Sequence, residues 1–322
     1  MRVLVTGATG FVGSYVVRRL LADGAGVRVL RRASSALDLL SDAASAVEHA
    51  VGDVTDPDAV RAAVDGCTHV VHAAASVAFG PAAGAAMRAV NVGGTAVVSD
   101  AAREAGVARL VHVSSIAALG RGAAGAATLD ESTPWADGRA NSRYAVSKRD
   151  AEREVWRAVA EGLDAVAVLP AVVFGVGRAG EGTERIVARV AGGRMRLAPP
   201  GATAVVDVRD VADGIVAALT RGASGDRFVL AGENLAWTDL LGTLARALGV
   251  PPPARSVPPA LLAAAGVAAD ALARLGLPMD LSAETARTAS ARFAYDAARA
   301  TRELGLTFRP FAETAAWIAA SR

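Results

Sequence analysis

The sequence predicts an α/β fold: a doubly wound parallel sheet with a smaller C-terminal α/β substrate domain. Three observations support this prediction. Short apolar runs alternate with stretches of helical spacing in the first half, a glycine-rich turn joins the first run to the first helix, and the pattern becomes irregular after Leu169. Strands and helices alternating at this length form parallel sheets that are covered on both faces. Ligands bind such sheets at the carboxyl ends of the strands, so functional residues should directly follow strands.

The individual elements are predicted from hydrophobic spacing. Strands are expected at 2–6, 27–30, 46–50, 69–72, 110–113, 165–169 and 227–230. Helices are expected at 11–22, 56–64, 82–105, 142–161, 210–220, 238–248, 258–277, 296–304 and 310–320. The stretch 120–138 is rich in Gly, Ala, Pro and Asp and predicts a loop suited to a lid. The predicted dinucleotide-binding domain comprises 1–168 plus about 203–232, and the predicted substrate domain comprises 169–202 plus 233–322.

Composition argues against several classes of protein. Basic and acidic residues nearly balance, 34 against 32, and the basic ones are scattered, so nucleic-acid binding is not expected. Cys67 is the only cysteine, which excludes an intramolecular disulfide and a cysteine-based metal cluster. We therefore expect a reducing, cytoplasmic location. The first residues indicate a strand and a turn rather than a secretory signal.

The most apolar stretch, 258–277, carries Asp270 and Arg274, and its uncharged part is too short to cross a bilayer. We expect no integral membrane segment there and predict a buried or groove-lining helix, with weak peripheral membrane contact as the alternative. The histidines lie in or beside predicted strands without the spacing of metal ligands. Core or strand-edge positions, and no metal site, are therefore expected for His49, His69, His72 and His112.

A phosphate-binding turn is predicted between the first strand and the first helix, where the glycines of 6–13 lie three residues apart. Gly7 permits a tight turn, Gly10 lets a pyrophosphate approach the backbone, and Gly13 lets the helix pack on the sheet. The helix N-terminus then offers free N–H groups and the positive end of its dipole to the anion. The predicted cofactor contacts in this turn are Gly7, Thr9, Gly10, Phe11, Val12 and Gly13. The spacing resembles the fingerprint of the short-chain dehydrogenase/reductase superfamily, which implies a Rossmann domain.

The end of the second strand indicates which nucleotide binds, because the residue there usually meets the adenosine ribose. An acidic residue would favour NAD(H), but Arg31 occupies this place and is followed by Arg32 and Ser34. A guanidinium makes paired, charge-assisted bonds to a 2′-phosphate. We therefore expect NADP(H), while NAD(H) stays open if Arg31 is a surface residue or stacks on adenine.

Tyr144 and Lys148 are the predicted proton-handling pair, because residues four apart share one face of a helix. A phenol normally loses its proton near pH 10. A neighbouring ammonium and an oxidised nicotinamide would favour the tyrosinate, and a position near the helix N-terminus would add to this effect. Tyr144 could then give a proton to a carbonyl oxygen as hydride arrives, or remove one in reverse. A chance pair on an exposed helix is the alternative.

The family resemblance implies two more catalytic residues. Ser115 matches the Ser/Thr that holds the substrate oxygen beside the tyrosine, and Ser114 is expected to serve the turn. Asn91 resembles the helix asparagine that orders water behind the lysine, with a plain polar helix residue as the alternative.

The resemblance also implies cofactor contacts outside the glycine turn. Asp53 is implied to meet the adenine edge beside Val54, unless it only forms a turn. The small side chains of Ala73, Ala74 and Ala75 would admit the cofactor after the fourth strand. The run 170–175 resembles the extended branch of the superfamily. Its implied cofactor contacts are Pro170 and Val173.

The C-terminal half resembles the dihydroflavonol-reductase-like and hopanoid-associated sugar-epimerase-like members of that branch. We therefore expect NADPH-dependent reduction of a ketone or aldehyde, and the apolar stretch 261–275 suggests a fairly apolar small substrate. The alternative is a nucleotide-sugar epimerase or dehydratase with tightly bound NAD(P). Its diphosphate would need cations such as Arg178, Arg185, Arg189, Arg194 and Arg196. A non-catalytic nucleotide sensor is disfavoured because the tyrosine and lysine are both present. Homodimerisation through 82–105 and 142–161 is suggested by the resemblance alone.

Overall fold

The computed structural model describes residues 1–77, 84–120, 128–138, 141–193, 195–275, 277, 279 and 281–322. The strands are β1 (Arg2–Thr6), β2 (Gly26–Arg31), β3 (Glu48–Val51), β4 (His69–His72), β5 (Arg109–Val113), β6 (Ala165–Pro170), β7 (Val172–Phe174), β8 (Leu197–Ala198), β9 (Ala202–Asp207), β10 (Arg227–Leu230), β11 (Glu233–Ala236) and β12 (Arg255–Ser256). The α-helices are α1 (Phe11–Ala22), α2 (Pro57–Val64), α3 (Gly84–Arg88), α4 (Gly94–Glu104), α5 (Arg143–Ala160), α6 (Glu184–Ala191), α7 (Val208–Ala218), α8 (Trp237–Ala247), α9 (Pro259–Arg274), α10 (Ala283–Ser290) and α11 (Phe311–Ala320). π-helical turns span Ala89–Gly93 and Ala300–Leu304, and 3₁₀ turns span Asp38–Leu40, Ala44–Ala46 and Ile116–Leu119.

Seven strands form the large sheet in the order β10-β6-β5-β4-β1-β2-β3. Every neighbouring pair in this sheet runs parallel. The chain moves outward from β1 to β3 and then crosses to β4 on the other side of β1, so the strand order reverses there. Such a reversal opens a crevice at the carboxyl ends of the strands. The predicted doubly wound parallel sheet is confirmed.

Helices cover both faces of the large sheet, because successive side chains of a strand point to opposite faces. In β1, Val3 and Val5 pack in a buried cluster with residues of α1 and α7. Leu4, between them, packs in a second cluster with residues of α2, α4 and α5. Strands that are buried on both faces must be apolar along their whole length, which explains the continuous apolar runs of the sequence.

A smaller sheet, in the order β11-β9-β7, is formed by the C-terminal half. Its core includes Phe174 and Phe311, whose rings meet edge to face with 5.1 Å between centroids. Within the segment 203–232, α7 packs against α1 and β10 joins the large sheet, whereas β9 lies in the small sheet. The division into two domains stays a prediction.

Some predicted elements differ in detail from the structure. The third strand is Glu48–Val51 rather than 46–50, because the 3₁₀ turn Ala44–Ala46 delays its start. The long helix predicted at 82–105 is interrupted by a π-helical turn between α3 and α4, and residues 82–83 lie outside the described part of the chain. Most of the predicted 120–138 lid, at 121–127, also lies outside the described residues.

The prediction of a buried helix at 258–277 is wrong for most of α9. Only Gly266 and Ala269 are buried. A Cβ at Gly266 would come within 2.8 Å of Ala286 of α10, so the two helices meet through small residues. The apolar side chains of Leu261 and Val267 are instead 60% and 64% exposed. No described helix is long and apolar enough to cross a membrane.

Candidate functional site

The glycine turn after β1 is a closely packed backbone structure. Gly7 has a φ of 71°, and a Cβ on it would lie 2.6 Å from the backbone of Ala73. A Cβ on Gly13 would lie 2.2 Å from the Gly7 carbonyl oxygen. Neither position can hold a larger side chain without moving backbone. Gly13 therefore lets the start of α1 pack closely against the turn, while the rest of the helix packs on the sheet.

Gly10 has a different role in the same turn. Its amide donates to the Gly7 carbonyl at 3.0 Å, and a Cβ on it would meet only that oxygen, at 3.2 Å. Gly10 is also the N-cap of α1, and this helix has neither a side-chain cap nor an acidic residue in its first turn. The first N–H groups of α1 are thus left for an anion, which fits the pyrophosphate of a dinucleotide.

The segment after β4 closes over this turn. Ala73 donates its amide to the Thr6 carbonyl at 3.2 Å, and the Ala74 amide donates to the Thr6 hydroxyl at 3.3 Å. Ala73, Ala74 and Ala75 therefore lie at the strand reversal beside Gly7, where side chains larger than a methyl group would narrow the crevice.

At the end of β2, Arg31 is half-buried, whereas Arg32 and Ser34 are exposed in the following turn. Arg31 donates its Nε–H to His49 Nδ1 at 3.2 Å, and its Nη1 lies 3.4 Å from the Arg32 carbonyl oxygen. Neither partner is a carboxylate, and within the described ranges no carboxylate forms an ion pair with Arg31. Its positive charge is available for an anionic ligand.

Asp53 and Val54 follow β3 at the same edge of the sheet. Asp53 accepts bonds from the backbone amide of Thr55 at 2.9 Å and from the Thr55 hydroxyl at 2.8 Å. These bonds hold the pKa of Asp53 below its usual value. Val54 packs where a Cβ on Gly94 would meet it at 2.9 Å. Asp53 thus forms a turn directly after β3.

Tyr144 is the second residue of α5 and lies at the carboxyl end of β5. Its hydroxyl faces the side chain of Ser115. Burial raises the pKa of Tyr144, and Ser115 partly offsets this rise. The expected lowering of the pKa by Lys148 is not found in the chain without cofactor. The phenol is therefore protonated at neutral pH and can donate its proton.

Lys148, the only lysine of the chain, lies one turn further along α5 and is 3% exposed. Its Nζ donates to the Val113 carbonyl at 2.8 Å. Burial lowers the pKa of Lys148 to about 8, against the opposing effect of Glu152. The ammonium is thus held by a backbone carbonyl, and the charge of the Glu152 carboxylate favours it.

Glu152 extends this column of side chains by one more helical turn. It is buried, it accepts a hydrogen bond from the Ser114 hydroxyl, and it lies 3.3 Å from Arg227 Nε of β10. Burial raises the pKa of Glu152, whereas Arg227, Ser114 and Lys148 lower it. The expectation that Ser114 serves the turn is wrong, because Ser115 accepts the Ala117 amide at the start of the 3₁₀ turn.

Asn91 lies in the π-helical turn between α3 and α4. Its side-chain amide accepts from the Ser76 amide at 2.7 Å and donates to the Ser76 carbonyl and the Ser147 hydroxyl, each at 3.0 Å. Ser147 in turn donates to the Tyr144 carbonyl at 2.8 Å. Asn91 therefore joins the segment after β4 to the catalytic helix, and its side-chain bonds reach Ser147 rather than Lys148.

Two buried histidines stack behind the site, 5.5 Å apart between ring centroids. His72 bonds the hydroxyls of Thr6 at 2.7 Å and Thr95 at 3.0 Å. Burial lowers the pKa of His72 to about 3, and it lowers the pKa of His112 well below its ordinary value. Both nitrogens of His112 lack hydrogen-bond partners among the described residues.

Residues after β6 form the wall opposite the glycine turn. Pro170 ends β6 and is buried, and Val173 lies in β7. The Phe11 ring packs close to Gly175 and Gly177, and a Cβ on either glycine would meet it at 3.3 and 3.1 Å, respectively.

Arg178 ties the glycine turn to its surroundings. It donates to the Thr9 carbonyl at 3.2 Å and forms ion pairs with Asp38 at 2.6 Å and Glu181 at 3.0 Å. Arg178 is therefore already neutralised, and Arg185 donates to the Gly180 carbonyl. Arg194 lies outside the described residues.

The site thus brings together most residues expected from the sequence, and it adds several that were missed. The phosphate-side residues surround the strand reversal, while Ser115, Tyr144 and Lys148 form one cluster. The missed residues are Thr6, His49, Ser76, Thr95, Ser147 and Glu152. For Glu152, the spacing of 144, 148 and 152 on one helical face was an available signal.

Comparison with known proteins agrees with this geometry. The model of the NAD dependent epimerase/dehydratase family matches residues 3–231. Sterol demethylase protein B of Methylococcus capsulatus is 34% identical to this chain, over 98% of each protein. A protein of Synechocystis named for dihydroflavonol 4-reductase is 35% identical, over 94% of this chain and 89% of its own length.

Among solved structures, gox2253 covers 99% of this chain and 96% of its own, with 33% identity and a TM-score of 0.85. The family match spans the glycine turn, the Ser115, Tyr144 and Lys148 cluster and the large sheet apart from Arg2. The chain therefore belongs to the NAD-dependent epimerase/dehydratase family, the extended branch of the short-chain dehydrogenases/reductases, and is an NAD(P)-dependent enzyme.

Proposed function

We propose that this enzyme uses NADP(H) to reduce a ketone or aldehyde group of a small, fairly apolar substrate, with Tyr144 as the general acid. The observation that carries this proposal is that Tyr144 faces Ser115, with Lys148 buried one turn further along the same helix and bonded to the Val113 carbonyl. Two hydroxyl groups at the end of β5 can hold one carbonyl oxygen between them. The residues of the glycine turn, Arg31 and Asp53 would bind the dinucleotide.

The protein's part in the reaction is proton delivery and orientation. When bound, the nicotinamide supplies the hydride. Ser115 donates a hydrogen bond to the substrate oxygen, and Tyr144 transfers its proton to that oxygen as negative charge develops. The raised pKa of Tyr144 keeps this proton in place before the reaction. Lys148 stabilises the resulting tyrosinate by its positive charge.

The preference for NADP(H) rests on the free charge of Arg31. Its described partners are a histidine nitrogen and a backbone carbonyl, so no carboxylate competes with a 2′-phosphate. Arg32 follows in the exposed turn and adds positive charge to the same edge. Hydrogen bonds to charged groups contribute roughly 1.5–3 kcal/mol, or about 10- to 100-fold in affinity.

The apolar substrate is suggested by the name of one relative, because a sterol is largely apolar. A second candidate function, epimerisation or dehydration of a nucleotide sugar with tightly bound NAD(P), is favoured by the family description. It would need free cations for a diphosphate. Arg178 donates to the Thr9 carbonyl of the glycine turn but already forms ion pairs with Asp38 and Glu181.

The test is a titration of the purified enzyme with NADPH and with NADH, followed by reduced-nicotinamide fluorescence. We expect NADPH to bind at least about tenfold more tightly, and Arg31→Asp to abolish or reverse this preference. Arg246→Asp, which changes an exposed arginine on α8, is the matched control and should keep the preference.

Two results would overturn the proposal. Equal or tighter binding of NADH by the wild-type enzyme would refute the NADP(H) preference. Oxidised cofactor that stays bound through purification, together with no NADPH oxidation by apolar ketones and aldehydes, would favour the epimerase or dehydratase function.

A further inference from the structure

Arg31 and His49 are neighbours because of the strand register. β2 and β3 run parallel, with Val29 opposite His49 and Arg31 opposite Val51. Val29 and Arg31 are two residues apart and project from the same face of the sheet, so Arg31 and His49 are diagonal neighbours on that face. Their hydrogen bond of 3.2 Å follows from this arrangement.

The contact of the second ring nitrogen of His49 determines which of the two nitrogens carries the proton. Nε2 lies 2.9 Å from the Ala44 carbonyl oxygen, which can only accept a hydrogen bond. Nε2 therefore carries the proton, and Nδ1 keeps a free lone pair. This lone pair accepts the hydrogen bond that the Arg31 Nε–H donates.

The contact leaves the outer edge of the guanidinium open. Nε points to His49, and Nη1 has only the contact of 3.4 Å to the Arg32 carbonyl. Nη2 has no hydrogen-bond partner within the described part of the chain. A guanidinium held by Nε presents both Nη groups together, which suits two oxygens of a phosphate.

We infer that His49 is a positioning residue for cofactor specificity: it holds Arg31 in the rotamer that receives the 2′-phosphate of NADP(H). The inference rests on the proposed NADP(H) preference. A free arginine loses rotamer freedom when it binds, and holding it beforehand removes much of that cost. NADH lacks the 2′-phosphate, so its binding does not depend on this rotamer.

The experiment measures NADPH and NADH dissociation constants for three variants. His49→Phe keeps a planar ring but removes both hydrogen bonds. We expect it to weaken NADPH binding by about 5- to 20-fold and to change NADH binding less than about twofold. His49→Gln retains an acceptor and a donor and should restore most of the NADPH affinity. His69→Phe, on another strand of the same sheet, is the control and should match the wild type.

The possible outcomes separate the two proposals. If the wild type prefers NADPH and His49→Phe keeps that preference, the role of His49 is refuted and the role of Arg31 stands. If His49→Phe weakens both cofactors equally, His49 supports the fold and not the specificity, which also refutes the inference. Equal binding of both cofactors by the wild type would refute both proposals.

Discussion

The two sides of the crevice are specified in opposite ways. On the glycine side, Gly7 and Gly13 act through the atoms they lack, because any Cβ would meet backbone at 2.6 Å or less. On the catalytic side, the half-buried Tyr144 and the buried Lys148 and Glu152 act through polar atoms that must find partners. The first side depends on glycines that are close in sequence and on the backbone of Ala73 after β4, and the second on partners from the end of β5 and from β10.

This difference teaches where each side is vulnerable. A glycine turn is disrupted when a larger side chain adds volume, because shifting the surrounding backbone costs free energy. A buried polar cluster fails when a partner is removed, since the remaining group is left desolvated and unpaired. Substitutions on the two sides should therefore separate chemistry, cofactor binding and stability.

The largest effect is expected for Tyr144→Phe, which removes the proton and leaves the ring. The rate of NADPH-dependent carbonyl reduction should fall by about 10²- to 10⁴-fold, because general acid catalysis contributes that much. NADPH affinity should stay within a few fold of the wild type. Steady-state kinetics and fluorescence titration measure the two quantities. A rate within tenfold of the wild type would assign the proton to another group.

Gly13→Ala adds volume on the other side of the crevice. Its new Cβ would lie 2.2 Å from the Gly7 carbonyl oxygen, so we expect a loss of about 1–3 kcal/mol in the free energy of unfolding and weaker NADPH binding. Gly10→Ala is the matched variant, with its nearest atom at 3.2 Å. It should lose NADPH affinity while urea unfolding changes little. Equal stability losses in both variants would contradict the different roles of the two glycines.

Lys148→Met tests the buried charge on the catalytic side. The folded pKa of about 8 lies below the ordinary lysine value of 10.5, so between these values the unfolded chain binds more protons than the native one. Wild-type stability should therefore gain a contribution as pH rises from about 8 to about 10.5. In Lys148→Met this contribution should vanish, so the slope of stability against pH between about 8 and about 10.5 should correspond to one proton fewer than in the wild type.

Because the chain contains no other lysine, this window is free of other side-chain ammonium groups. Urea unfolding at several pH values measures the slope. An unchanged slope in Lys148→Met would show that Lys148 titrates normally and is not desolvated.

The smallest effect is expected for substitutions of His72 and His112, whose rings lie side by side in the fold. His112→Phe removes two nitrogens without described partners and should stabilise the fold by about 1 kcal/mol. His72→Phe removes bonds to Thr6 and Thr95 and should destabilise it by about 1–3 kcal/mol. Thermal unfolding at pH 7 gives the signs, and the same sign in both variants would refute the different pairing of the two rings.

The same two histidines predict an acid limit to stability. Burial lowers the pKa of both rings below 6.5, so the unfolded chain takes up their protons first and stability falls as pH drops below about 6.5. In a variant without His112, the slope of stability against pH below about 6.5 should correspond to one proton fewer.

Local sequence patterns were sufficient for the glycine side. The first strand and helix begin and end where the apolar spacing placed them, and the glycine spacing located the turn. The distinct tasks of Gly10 and Gly13 needed coordinates, because they depend on which backbone atom faces each missing Cβ.

The polar partners could not be predicted in the same way. Asn91 bonds Ser76 and Ser147 from within a π-helical turn that interrupts the helix. The residue types in 89–93 do not predict that turn. Arg227 is 75 residues from Glu152 and reaches it only because β10 is the edge strand next to β6. The exposure of α9 was also missed, because alanine-rich apolar spacing fits a buried helix and a small-residue contact equally well.

The burial of the single lysine has a practical consequence for chemical labelling. Lys148 is 3% exposed, and every other basic side chain besides histidine is an arginine. An acylating reagent therefore finds no accessible side-chain amine on the folded chain. The rate at which Lys148 is acylated, followed by mass spectrometry, would measure how often the crevice opens enough to expose this side chain. A bound dinucleotide should lower that rate.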